Sequence, residues 1–368
     1  MYSFQPNEDQ QSIIDTVRDF AKSEMRPKSI EADEKDALPA GFLQKAWDLG
    51  LAVGAIPEAY GGSGIERSAV TGALIGEELG YGDVAMGIAT LVPALVAYPL
   101  VDYGTEAQKQ QHLPRFTGGT FPRATSALVE PSLDFDATNL QTTAIKSANG
   151  YVLSGKKCLV PLGDTAELFL VYAREGGPGL GSVQAFLVPR DAKGLTVGAR
   201  EKNMGVKALD TVSLTLDGVE VPADARLGGE KGIDYARIAA YARIAAVSLA
   251  VGVSRAAMDH SVTYAKEREA FGEPIASRQA VAFMLADMAL EIDAMRVLLW
   301  EAAWHLDKGE TATKETYLAK LYADKQALKV TDNAVQVMGG HGYIRENPVE
   351  GWLRHARGFV NFDAIAMV

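Results

Sequence analysis

Apolar positions recur along this chain with two different periods, and the change of period marks out three segments. Up to about residue 122 the spacing is helical. Ile13, Ile14, Val17, Phe20 and Ala21 fall on one helix face. Asn7 is placed to cap that helix, with Gln10 three residues on. The same spacing predicts helices over 40–51, 69–79 and 106–111, separated by glycine turns at 61–64 and 118–119. From about 123 to 222 the period becomes that of strands. Alternating or β-branched runs over 150–153, 168–173, 183–188, 212–216 and 219–221 are bounded by Gly177-Pro178-Gly179, Pro189 and Asp217-Gly218. They predict a small antiparallel β domain. Long helices then return. One covers 230 to about 269 and is apolar on most sides, as a central bundle helix is. The next carries Leu285, Met288, Ile292, Met295, Leu299 and Ala302 on one face, and a third covers about 314–338. It stops at Gly339-Gly340, where a left-handed C′ glycine fits. The predicted class is α+β, mostly α: an N-terminal helical domain (1–122), a middle antiparallel β domain (123–227) and a C-terminal four-helix bundle (228–368).

Charge narrows the function. Against 36 Lys+Arg stand 47 Asp+Glu, a net charge of −11 over 368 residues with no basic run. A protein that tracks nucleic-acid phosphates is thereby excluded. The single cysteine, Cys158, excludes a disulfide framework and a multi-cysteine metal site, and no metal is expected. The first ten residues lack a basic stretch followed by an apolar one, so the expectation is a cytoplasmic protein without a secretory signal. The most apolar long run is read as 233–253. It carries Asp234, Arg237 and Arg243, which predicts a buried helix and no membrane span.

The residues alone leave the chemistry open. There is no P-loop, no HExxH and no GxGxxG after a strand. The segment Gly339-Gly340-His341-Gly342-Tyr343 is a helix stop or a place of close backbone approach to a ligand. Arg268 and Phe271 are a phosphate ligand and an aromatic cover, or a surface arginine and a core phenylalanine. The five histidines show no ligand spacing, and Cys158 reads as a strand thiol.

Several motifs, in order over nearly the whole chain, nevertheless resemble the acyl-CoA dehydrogenase family. Residues 264–272, YAKEREAFG, resemble the family's YAxxRxxFG. FMLADMA at 283–289 resembles its LADMA helix, and QVMGGHGY at 336–343 its QxxGGxGY. ALVEP at 127–131 resembles its ALTEP strand, and PEAYGG at 57–62 its P-x-x-Y-G-G loop. The resemblance implies N-terminal helices, a β domain and a four-helix bundle, assembled as a tetramer (a dimer of dimers) with FAD at a subunit boundary. It implies removal of two hydrogens from an acyl thioester, of coenzyme A or an acyl carrier protein, with an electron-transfer flavoprotein as usual acceptor. Arg268 would bind the FAD pyrophosphate of the neighbouring subunit, Phe271 and Gln279 would line that neighbour's flavin site, and Gln336, Gly339 and Gly340 would shape the ADP side. Arg243 matches an arginine near the thioester, and Asp363 matches the catalytic glutamate, as base for the α-proton.

The departures from the pattern cluster. Val129 replaces the threonine of ALTEP, Leu133-Asp134-Phe135-Asp136 replaces A-G-S-D, and Cys158-Leu159-Val160 replaces the W-I-T behind the flavin ring. Lys207-Ala208-Leu209 replaces R-G-S, and Asp363-Ala364-Ile365 replaces E-G-T. Ala242 stands where some members carry an alternative glutamate. Residues matched to the ADP half of FAD are thus present, while those matched to the ring half, at 129, 158 and 160, are altered. Phe135, Phe362 and Tyr241 are candidates to narrow the acyl pocket. The readings consistent with this pattern are an FAD-dependent dehydrogenase using Asp363, a subunit completing a partner's FAD site in a hetero-oligomer, and non-redox thioester chemistry on the same fold.

Overall fold

The structure, a computed structural model, describes residues 5–368. Helix α1 (Glu8–Phe20) opens with a reciprocal capping box. The Asn7 side chain accepts from the Gln10 N–H at 2.8 Å, and the Gln10 side chain accepts from the Asn7 N–H at 3.1 Å. Ile14, Val17 and Phe20 are buried. Helices α2 (Ser29–Glu34), α3 (Phe42–Asp48), α4 (Ala69–Gly82), α5 (Val84–Leu91), α6 (Ala94–Tyr103) and α7 (Glu106–His112) complete the first region. Periodicity gives no sign of α5 and α6 because α5 is buried throughout and α6 is buried on all sides from Ala94 to Leu100, before its last turn with Asp102 reaches the surface. They also correct the ranking of apolar runs. The segment Val84–Tyr103 reaches a mean hydropathy of 2.0, against 1.5 for the long helix at Tyr235–Glu267. Both windows are mostly buried in the fold, as core helices are.

Seven strands form the sheet: β1 (Ala124–Ala127), β2 (Thr143–Ser147), β3 (Gly150–Pro161), β4 (Leu168–Arg174), β5 (Val183–Pro189), β6 (Leu195–Arg200) and β7 (Thr211–Pro222). Their order is β1-β4-β2-β3-β7-β6, with β5 also on β4. The sheet is mixed and not purely antiparallel, since β1 runs parallel to β4. The runs over 212–216 and 219–221 are one strand. Asp217-Gly218 is a bulge opposite Leu153–Gly155, with Gly218 at φ +62°, and not a hairpin turn.

Helix α8 (Tyr235–Glu267) begins later than its apolar run, because a 3₁₀ turn occupies Gly229–Lys231 and Asp234 caps the helix through the Arg237 N–H. A two-residue hairpin, β8 (Glu269–Ala270) and β9 (Glu273–Pro274), leads to α9 (Gln279–Asp307), α10 (Thr313–Met338), α11 (Gly340–Tyr343) and α12 (Val349–Gly358). The α9 stripe from Met288 to Ala302 is buried as its spacing predicts. Gly339 has φ +56° and ψ −130°, so the α10 stop uses positive φ without the left-handed helical conformation.

What fixes α8 is its seam with α4. Seen from Gly80, an added Cβ would lie 2.4 Å from the Leu249 carbonyl oxygen; from Gly252, 2.2 Å from that of Glu77. Backbone meets backbone there, and buried charge brackets the contact. Glu77 pairs with Arg255 and Arg296, at 2.7 and 2.9 Å. Glu78 pairs with Arg255 and Arg18, at 2.6 and 2.9 Å. A methyl group at the seam must push two helices apart. Gly80→Ala is therefore expected to lower stability by about 1–3 kcal/mol, read as a lower urea midpoint at unchanged slope.

Candidate active site at the first turns of α8

Asp363 follows a 3₁₀ turn at Phe359–Asn361 and is half-buried. Ala364 after it has φ +49°. That conformation is free for glycine and costs an L-residue about 1–2 kcal/mol, and the resembling motif has glycine at this position. Residues 364–368 then run inward and are buried. Arg67 holds them, donating to the Val368 carbonyl from Nη2 at 2.6 Å and from Nε at 3.2 Å. Its guanidinium lies 4.0 Å from the Tyr98 ring centre and 3.7 Å from that of Tyr241, and pairs with Asp102 at 2.8 Å. Tyr241 is thereby committed to a structural clamp.

Tyr235, at the first position of α8, is 3% exposed, and its phenolic oxygen has no hydrogen-bond partner. Its ring packs on Tyr172 at 5.6 Å. Burial pushes its phenol well above 10, and the surrounding charges are those of Asp363, Arg243 and Asp136. Arg243 is half-buried, makes no ion pair among the described residues, and lies 5.6 Å from the exposed Tyr317 ring. Asp363 also bears on Asp324, which pairs with Lys320 at 2.8 Å. Asp363, Arg243 and Asp136 thus all bear electrostatically on Tyr235. No motif or spacing signals that tyrosine. Phe135 is half-buried against the core. Phe362 is 4% exposed, packed edge-on to Phe359 at 5.5 Å and against Gly358. Its side chain is committed to packing and is not free to narrow a pocket.

The sheet contributes the altered segment. The Cys158 N–H donates to the Val129 carbonyl at 2.9 Å, so 129 and 158 are main-chain neighbours. A bulge between Lys157 and Val160 sets Leu159 at φ +52°, with its N–H on the Glu201 carboxylate at 3.0 Å. Val160 is 1% exposed inside the sheet's apolar core, so it too presents no side chain to a ligand. Val129 is buried and Cys158 half-buried. Burial pushes the Cys158 thiol up to about 11, which leaves it a poor nucleophile at neutral pH. Beneath lies a buried pair that motif reading passes over. Lys157 Nζ donates to Glu130 and to the Leu128 carbonyl, both at 2.9 Å. Glu130 also accepts from the N–H groups of Gln141 and Thr142. Burial brings Lys157 down to about 8 despite Glu130. Burial raises Glu130, but the Lys157 charge and the hydrogen bonds outweigh it, leaving the carboxyl below its ordinary 4.5.

A second cluster forms at the other end of α8. Arg268 is exposed and makes no ion pair among the described residues. Phe271 is 96% exposed at φ +58°, with Arg278 5.8 Å from its ring. The Ile275 N–H on the Arg268 carbonyl ties the hairpin to the start of α9, where Gln279 is exposed. The Tyr264 hydroxyl and His341 Nδ1, 3.3 Å apart, bring in Gln336, Gly339 and Gly340. Side chains added at either glycine would meet nothing within 4 Å. At 1.5 Å per residue this cluster stands about 50 Å from Tyr235, so the two ends of α8 cannot serve one ligand within one chain. Among the described residues no group of His, Cys, Asp and Glu is placed to hold a metal. His355 is buried, its Nδ1 accepting from the Val206 N–H at 2.8 Å.

Comparison with known proteins places this architecture. The descriptions "Acyl-CoA dehydrogenase, N-terminal domain", "middle domain" and "C-terminal domain" match residues 7–120, 125–219 and 230–362. The chain is 39% identical to the probable acyl-CoA dehydrogenase YngJ of Bacillus subtilis, over 96% of this chain and 94% of that one. It is 36% identical to the mitochondrial short-chain specific acyl-CoA dehydrogenase of Bos taurus, over 95% and 85%. The solved butyryl-CoA dehydrogenase of Megasphaera elsdenii superposes with a TM-score of 0.89 at 32% identity, over 98% and 96%. The chain belongs to the acyl-CoA dehydrogenase family, whose members are flavoenzymes and oxidoreductases.

The Lys157–Glu130 pair is testable apart from any activity. Lys157→Met leaves a buried carboxylate without its cation, and a loss of about 3–5 kcal/mol is expected. In the parent, the Glu130 contribution is complete above pH 4.5 and is lost as the pH falls through its lower folded value. In the variant the acid limb of the stability profile moves upward, as urea unfolding between pH 3 and 7 would show.

Proposed function

We propose that this protein is an FAD-dependent acyl-CoA dehydrogenase in which Asp363 takes the α-proton of the thioester. The observation that supports it most is Asp363 itself, half-buried at a turn that keeps the glycine-type backbone with alanine at 364. A base poised over a carbon acid needs a cation or donor near the oxygen that gains charge, and Arg243 supplies one. FAD, when bound, supplies the two-electron acceptor. Arg268, Gln336, Gly339 and Gly340 fit its pyrophosphate side, offering an unpaired cation and open backbone at the surface. Phe271 and Gln279 cover the ring site of a second copy, and the length of α8 supports that sharing. The substrate is an acyl-CoA, short acyl groups being the first to test because of the short-chain and butyryl relatives. The assembly is a tetramer built from dimers, cytoplasmic, passing electrons to an electron-transfer flavoprotein.

Two measurements test this. The visible spectrum of the purified protein is expected to show about one flavin per chain; its absence after adding FAD would favour a subunit that completes a partner's site. Asp363→Asn is expected to keep the flavin and lose on the order of 10²–10⁴-fold in butyryl-CoA-dependent dye reduction. An unchanged rate in that variant would remove Asp363 as base. Sharing is checked by co-expression: an Arg268→Ala chain and an Asp363→Asn chain, each inactive alone, are expected to recover part of the activity together, since one mixed site is intact. No recovery would count against Arg268 acting across a subunit boundary.

A further inference from the structure

Asp363 stands between two cations that grip main-chain oxygens. Four residues before it, the buried Lys320 donates to the Phe359 carbonyl at 2.7 Å while paired with Asp324. Five residues after it, Arg67 donates to the Val368 main-chain oxygen from Nη2 at 2.6 Å and from Nε at 3.2 Å. Among the described residues, 363–367 make no hydrogen bond of their own, so the Arg67 grip is the polar tie of this segment to the fold. Residues 365–368 are otherwise held by apolar burial. Such burial is non-directional and fixes the depth of a segment better than its register. The two bonds from Arg67 are directional and fix the register. Arg67 is itself immobilised. The rings of Tyr98 and Tyr241 lie 4.0 and 3.7 Å from its guanidinium, and Asp102 takes Nη1 at 2.8 Å. Tyr98 and Asp102 belong to α6 and Tyr241 to α8, so the grip refers the segment to both helices. A cleft of about 210 Å³ beside it, lined by Ile75, Leu91, Tyr98, Met367 and Val368, leaves room for the segment to shift once the grip is lost. Ala364 at φ +49° supplies a reason to shift, because a strained backbone persists only while its surroundings hold it.

We propose that Arg67 is a positioning residue for Asp363, holding residues 364–368 in the register that brings the carboxylate to the α-carbon of the substrate. This rests on the dehydrogenase reading above and adds a residue to it. In the step concerned, the Cα–H bond breaks and its proton passes to the Asp363 carboxylate. The electron pair of that bond moves into the thioester carbonyl. Arg67 gains and loses no proton; it acts through five residues of main chain. A base misplaced by about 1 Å can cost on the order of 10²-fold. Aspartate is one methylene shorter than the glutamate of the resembling motif, so it has less reach with which to correct an error in the main chain. Placement of the carboxylate then depends on the anchors at either side, and the anchor on the strained side is Arg67.

Arg67→Lys keeps a charge for Asp102 and gives up the two-donor fork, so the fold and the flavin content are expected to survive. With the flavin-loaded protein and butyryl-CoA, kcat is expected to fall on the order of 10-fold in Arg67→Lys and 10²-fold in Arg67→Met, with KM little changed. Uptake of deuterium at Cα of butyryl-CoA in deuterium oxide, with no electron acceptor added, follows proton transfer alone and is expected to slow by the same factors. The double variant separates positioning from a merely structural role. Added to Asp363→Asn, Arg67→Lys is expected to change the residual rate by less than about 2-fold, because the group being positioned is already lost. Parent-like kcat and exchange in Arg67→Lys, or losses that multiply in the double variant, would overturn the role of Arg67 and leave the dehydrogenase reading standing. A parent rate in Asp363→Asn, or a parent protein that oxidises no acyl-CoA, would overturn that reading and this one with it.

Discussion

The contact between α4 and α8 is the constraint on which the rest depends. Two helices approach until backbone touches backbone at Gly80 and Gly252, and Glu77 and Glu78 are buried beside the contact. Such closeness needs glycine on both sides, and the desolvated carboxylates need the three arginines that reach them from α1, α8 and α9. The contact sets the position of α8. Its first turns carry Tyr235 and Arg243, and Arg268 stands exposed just past its last turn. A helix of 33 residues held so firmly at its middle keeps its two ends at a fixed separation.

The same economy governs the sheet. Lys157 and Glu130 are buried together, and Glu130 spends its remaining capacity on two main-chain N–H groups. This fixes the end of β1 against β3 where the bulge at Leu159 would otherwise loosen the ladder. The Glu201 carboxylate completes the bulge by accepting the Leu159 N–H. The strained segment thus keeps an ordered main chain even where its side chains have become apolar.

What was legible in the sequence follows from what leaves a period. The amphipathic α1 and the buried stripe of α9 stand out because one face is wet. Helix α5 and the first seven residues of α6 have no wet face, so nothing alternates. The short strands β2 and β6 are half-exposed and carry too few apolar residues to register. The bulge at Asp217-Gly218 imitates a hairpin because the two need the same residues and differ only in register. Among site residues, motifs located Asp363, Arg243 and the Arg268 cluster through the resemblance. Spacing does not tell whether a side chain faces a ligand or the core, and Val160 and Phe362 face the core. Tyr235 left no trace in sequence because a tyrosine at a helix start is ordinary; the missing partner of its hydroxyl shows only in the fold.

The changes at the site make sense when taken together. Valine at 129 and at 160 strips hydroxyl groups from the sheet side, and Val160 turns the loss into packing within the sheet core. What the sheet keeps at that place is main chain: the Cys158 N–H is committed to the Val129 carbonyl and the Leu159 N–H to Glu201, so order at this edge survives the loss of the polar side chains.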